Sequence, residues 1–172
     1  KIMMRPLPSD YSPFSETYVS LVETGDIKKM MTDSLPAMSA FLSTITEEKA
    51  DYAYASGKWT VKQLLQHTID TEKVFAYRAM CFARGEKQPL PGFDQDDYAA
   101  HVDVSGRSLA GLKEEMLLAR KLTIMLFEPL SDEALNERGV ASDHDVTVLA
   151  LGYILLGHWR HHESILKGKY GL

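Results

Sequence analysis

Three of the six histidines of this 172-residue chain stand within five residues, in Gly157-His158-Trp159-Arg160-His161-His162-Glu163. His158 and His162 are four apart, so on a helix one imidazole lies a turn above the other on the same face. That spacing lets two imidazoles share one metal ion. Leu151, Ile154, Leu155, Ile165 and Leu166 repeat around them at helical intervals, which turns the pair into a helix bundle rather than into water. Two protein ligands do not make a secure site. Either the chain brings a third, or the pair are hydrogen-bonded core histidines.

The elements that must supply a third ligand are helical. Residues 1–15 carry Pro6, Pro8 and Pro13 and read as an irregular arm. A short helix is expected over Glu16–Glu23, stopped at Gly25. Asp26 is a fair N-cap for a first long helix over about 27–44, with Ile27, Met30, Met31, Leu35, Met38, Phe41, Leu42 and Ile45 at intervals of three and four, and with Pro36 predicting a kink. Thr60 and Gln63 form a capping-box pattern for a second helix over about 61–84, closed by Gly85, with His67 in its second turn. Ser105 is the expected N-cap of a third helix over about 106–128, ended by Pro129. Residues 131–135 could make one further turn. Asp145 is the expected N-cap of a fourth long helix that runs to about Lys167-Gly168. No strand-like alternation stands out, so the class is all-α and the economical architecture a four-helix bundle in one domain over 1–172.

The connection over residues 85–104, with Pro89, Pro91, Gly92 and the acids Asp94, Asp96 and Asp97, is long for a compact domain. It can travel the length of a bundle, so that the third helix runs parallel to the second in an up-down-down-up order. The second and fourth helices are then antiparallel, and His67 comes to the same end as His158 and His162. Three neutral imidazoles with an open fourth position suit Zn²⁺, and also Ni²⁺ or Fe²⁺. An ion so held could polarise a water or a thiol.

Composition narrows the partners. An apolar fraction of 45% with 25% charged residues is that of an ordinary globular protein, and a net charge of −5 without a long Lys/Arg run argues against nucleic acid. The single Cys81 fits a reducing cytoplasm, and it lies too far along the second helix, about 21 Å from His67, to share its metal. No apolar run is long enough to span a membrane, and Lys1-Ile2-Met3-Met4-Arg5-Pro6 has no apolar leader.

Four stretches in order carry a family likeness: Tyr54-Ala55-Ser56-Gly57-Lys58-Trp59-Thr60 leading into Gln66-His67-Thr68-Ile69-Asp70-Thr71-Glu72; Phe75-Ala76-Tyr77-Arg78 with Ala83-Arg84-Gly85; Leu90-Pro91-Gly92-Phe93-Asp94-Gln95-Asp96; and Gly157-His158 with His161-His162. Over roughly residues 18–170 the chain resembles the DinB/YfiT-like superfamily of bacterial four-helix bundles. The resemblance implies the up-down-down-up bundle and a divalent metal on one His early in the second helix and two His four apart in the fourth. By motif position these are His67, His158 and His162. Many relatives carry Glu where this chain has Trp159, a position off the ligand face. The resemblance also implies transfer or isomerisation chemistry with a low-molecular-weight thiol, and frequent pairing of bundles into homodimers.

Two classes of function follow. One is a divalent-metal-dependent enzyme, a thiol-using transferase or a hydrolase, with Zn²⁺ or Ni²⁺ before Fe²⁺ and a small-molecule substrate. The other is a non-catalytic metal- or small-ligand-binding bundle or dimerisation module. No catalytic base stands out. His161 is a substitute ligand or a neighbour of the site. Asp70 is a surface acid or an orienting partner for an imidazole. Glu72 and Arg78 read as a structural tie to the Asp94–Asp97 loop, Tyr54 and Trp59 as pocket mouth or core, Cys81 as a core thiol, and His101 and His144 as exposed.

Overall fold

Side-chain caps decide where the long helices start, and a computed structural model, which describes residues 4–172, shows these caps in place. The sequence readings that fall on residues 1–3, the start of the arm and the lack of a leader, lie outside the described residues. The rest of the arm contains two 3-10 turns, Pro8–Asp10 and Pro13–Ser15, and leads into α1 (Glu16–Val19). Arg5 fastens it by donating to the carbonyls of Val22 and Val19 at 2.6 and 3.0 Å. The Asp26 carboxylate accepts the Lys28 and Lys29 amides and opens α2 (Ile27–Ser43), with Pro36 inside it. Thr60 and Gln63 make the reciprocal bonds of a capping box at 3.2 and 2.8 Å and open α3 (Val61–Ala83).

The long connection contains a seven-residue helix, α4 (Gln95–His101), packed on α3. The next long helix, α5 (Leu109–Phe127), is capped by Ser108, not Ser105. The Ser105 amide is held by Asp103 at 2.8 Å in a turn, whereas the Ser108 hydroxyl accepts Gly111 N–H at 3.0 Å. After α6 (Asp132–Asn136) the structure departs from an all-α class. Strands β1 (Arg138–Ala141) and β2 (His144–Thr147) form an antiparallel hairpin, with Arg138 opposite Thr147 and Ala141 opposite His144. Its turn residues Ser142 and Asp143 both take positive φ, 51° and 64°, as a tight two-residue hairpin turn requires. Asp145 therefore belongs to β2, and Thr147 caps α7 (Val148–Gly168) through Ala150 N–H.

The fold is mostly helical, with α2, α3, α5 and α7 as its long members. Helix α7 is central: every residue from Val148 to Trp159 is buried, and it packs against α1, α2 and α3. A helix apolar on all sides must be enclosed. Gly157 lets α1 lie directly on it, since a Cβ there would collide with the Tyr18 carbonyl. One apolar cluster surrounds the first half of α7 and another gathers Met38, Leu42, Leu65, Leu112, Trp159 and Leu166 at the opposite end. Among the described residues no helix is long and apolar enough to cross a membrane.

Candidate metal centre

The second turn of α3 and the second half of α7 bring His67, His158 and His162 together. One ring nitrogen from each lies within 4.8 Å of those of the other two. His67 Nε2 is 3.0 Å and His162 Nε2 3.1 Å from His158 Nε2. All three side chains are buried, with exposures of 5–8%. Burial, and then the charge of His161, lowers His67 to a pKa of about 4. Burial, and then the charges of His67 and His161, takes His162 to about 3. Burial, followed by repulsion from His162 and His67, holds His158 far below the usual imidazole range. At neutral pH the centre is three uncharged imidazoles.

Such a set fits a divalent cation better than it fits itself. A neutral imidazole nitrogen has either one hydrogen or one lone pair, so His158 Nε2 can bond well to only one of its two neighbours. Imidazole nitrogens bound tetrahedrally to zinc at about 2.0–2.1 Å stand about 3.3 Å apart, close to the 3.0 and 3.1 Å that separate His158 Nε2 from its two neighbours. The Nδ1 of His162 is buried with no hydrogen-bond partner among the described residues. Its ring is instead positioned by packing, edge-on to His161 and His67 with centroids 5.0 and 4.8 Å away. Trp59 lies 4.9 Å from His67 and Tyr18 5.2 Å from His158, so each of the three imidazoles is backed by a half-buried ring.

His161 is not one of the converging trio, and its ring meets Tyr18 and His162 instead. Asp70 makes no bond to an imidazole among the described residues; its Oδ1 accepts Gln66 Nε2 at 2.9 Å. Arg107 donates to Gln66 Oε1 at 2.9 Å and pairs with Glu115, which also takes Lys73 at 2.6 Å. Glu72 does not reach the acidic loop: it is buried against Arg120. Arg78 donates to the Pro91 carbonyl at 2.9 Å and to Ser142 Oγ at 3.1 Å, so it fastens the loop at Pro91 rather than at its acids. Tyr54 packs on Tyr170, Cys81 is half-buried, and His101 and His144 are exposed. Tyr18 and Arg120 escaped the sequence reading. Arg120 had a signal, since it falls among Met116, Thr123 and Phe127 on the apolar face of α5.

The depressed pKa values set a pH dependence for the metal-free protein. The unfolded chain takes up protons on these histidines near pH 6.5 while the folded one resists, so stability is intact above that pH and is lost as pH falls toward 4 and below. His67 alone accounts for a loss of about 2–3 kcal/mol by about pH 4.5. Urea unfolding in chelator at a series of pH values should show this slope, reduced by that amount in His67→Asn.

A family model described as the DinB superfamily matches residues 31–166. A protein of Oceanobacillus iheyensis, named "Putative metal-dependent hydrolase", is 23% identical over 133 residues, 73% of each chain. The solved structure of YfiT from Bacillus subtilis, described as "a probable metal-dependent hydrolase with an unusual four-helix bundle topology", matches with a TM-score of 0.70 and 15% identity. The match covers 98% of this chain and 94% of that one.

Proposed function

This chain belongs to the DinB superfamily, and we propose that it is a divalent-metal-dependent hydrolase whose ion is held by His67, His158 and His162. The observation that carries the reading is the convergence of three neutral, buried Nε2 atoms with no protein acid among them. The names of the two relatives support hydrolysis rather than another metal chemistry. An ion at this place supplies Lewis acidity, polarising a carbonyl and lowering the pKa of water or of a low-molecular-weight thiol. The residues of the chain do the rest. The two α7 histidines fix one edge of the site at a rigid helical spacing, and His67 closes it from α3. Trp59, Tyr18 and His161 hold the imidazole planes. Transfer to a thiol uses the same geometry with a different nucleophile. Zn²⁺, Ni²⁺ and Fe²⁺ all accept three imidazoles.

The reading includes an up-down-down-up helix order. The pairs Gln66–Arg107 and Lys73–Glu115 support parallel α3 and α5, and Ser34–Arg120 with Ile45–Lys113 support antiparallel α2 and α5. Antiparallel α3 and α7 are supported by Val61 and Leu65 sharing one apolar cluster with Trp159 and Leu166, and Ala79 and Phe82 sharing the other with Val148 and Leu149. It also includes a homodimer, supported by the exposed apolar stripe of Tyr77, Met80, Leu118, Leu122 and Met125 along α3 and α5, and a sedimentation mass reads this directly. For the activity, protein loaded in turn with each metal is assayed against a panel of esters and amides, with and without a thiol. Turnover that chelator abolishes and added metal restores is expected. A fully loaded protein that turns over none of the panel would sink the enzyme and leave a metal-binding bundle.

A further inference from the structure

The cavity that reaches the three-histidine centre, on its His67 side, lies under α4. It is lined by His67, Gln63 and Asp70 of α3 on one side and by Phe93, Tyr98 and Val102 of the connection on the other, and its volume is about 10 Å³. A space of that size holds one water at most, whereas small-molecule pockets span about 300–1,000 Å³. Any substrate arriving from this side needs the connection to move.

The connection is fastened by side chains at its two ends. It is fastened at one end where Arg78 holds the Pro91 carbonyl, and at the other where Lys62 donates to the Arg107 carbonyl at 3.1 Å and Arg107 bonds Gln66 and Glu115. Between these points, among the described residues, no side-chain hydrogen bond or ion pair joins residues 92–106 to the rest of the chain, and the backbone bond that does is Arg107 N–H to the Val104 carbonyl at 3.0 Å. The Asp94 carboxylate caps α4 itself through Asp96 and Asp97, the His101 ring meets the Asp97 carbonyl, and Asp103 holds Ser105. No residue of α4 is buried. The apolar tethers are the buried Val104 and the half-buried ring of Phe93, which lies 6.3 Å from Phe75 and 5.9 Å from the Arg78 guanidinium carbon. Gly92 and Gly106 stand next to the two fastened ends.

We propose that residues 92–106 form a cover over the His67 side of the three-histidine centre, and that substrate enters beneath α4 as the cover lifts. The walls name its class: a small molecule that presents a hydrogen-bond donor to Asp70 and an apolar face to Phe93, Tyr98 and Val102 beside the group that meets the histidines. The inference rests on the metal reading above. The test uses the full chain loaded with Co²⁺, whose visible spectrum reports the site, and acetohydroxamate as the probe. Phe93→Ala and Val104→Ala loosen the two apolar tethers and replace no histidine. Each should leave the Co²⁺ spectrum unchanged before the probe is added and raise the rate of acetohydroxamate association about tenfold, because the open fraction limits entry. Association at the wild-type rate in both variants overturns the cover and leaves the metal reading standing. A chain that takes up no Co²⁺ overturns both.

Discussion

His158→Ala protein, incubated with Zn²⁺, Ni²⁺ or Fe²⁺ and dialysed, is expected to keep less than about a tenth of the metal that the wild type holds. His158 is the shared member of the cluster: its Nε2 is the atom from which both the other two are 3.0–3.1 Å away. Its removal leaves His67 and His162 as a two-ligand remnant, too few for a divalent ion to be retained against dialysis. His161→Ala is the informative companion, because that ring packs beside the trio without joining it, and it should keep near-stoichiometric metal. Stability gives a second readout. A ligand that binds only the folded state adds about 4 kcal/mol when its free concentration is roughly 1,000 times Kd. The wild type should therefore melt higher with metal than with chelator, and His158→Ala should melt at the same temperature in both. A wild type that stays empty with all three metals would refute the site outright. So would a His158→Ala variant that binds as tightly as its parent.

How much of this was legible in the sequence depends on the range of the interaction. The i, i+4 relation of His158 and His162 is a property of any helix, and the helix itself was marked by its apolar repeats. The capping box at Thr60 and Gln63 and the cap at Asp26 were local signals of the same kind, and both appear in the structure. Bringing His67 to the pair needed one topological step, taken from the length of the connection before α5. Elsewhere local signals were degenerate. Ser105 and Ser108 are equally good caps by type, and the choice fell to a turn at Asp103 that only the packed chain reveals. The four-residue strands of the hairpin are too short to alternate visibly, and Ser142-Asp143 is a weak advertisement for two residues at positive φ. Glu72 has its partner 48 positions away on another helix. Nothing near Glu72 in the sequence points to Arg120.

That pair carries the second large effect. Glu72→Ala is expected to destabilise the protein by about 3–5 kcal/mol, read as a shift of the urea midpoint, because it strands a buried guanidinium. Arg120 is completely buried and Glu72 is 3% exposed. The carboxylate accepts Arg120 Nε and Nη2 at 2.7 and 3.1 Å and the Thr123 hydroxyl at 2.9 Å. The guanidinium also donates to Ser34 Oγ at 2.8 Å and to the Leu155 carbonyl at 3.1 Å. One charge pair thus ties α3 and α5 to α2 and α7. Desolvation makes such a pair a poor net source of stability, yet breaking it from one side exposes its full desolvation penalty. Glu72→Leu with Arg120→Met removes both charges and should recover most of what Glu72→Ala loses. The site is the sensitive reporter, since Leu155 lies just before His158 on α7. Glu72→Ala should weaken metal binding while the double variant restores it toward wild type. If Glu72→Ala costs less than about 1 kcal/mol, water reaches the guanidinium, and the register of α7 must then be set by apolar packing alone.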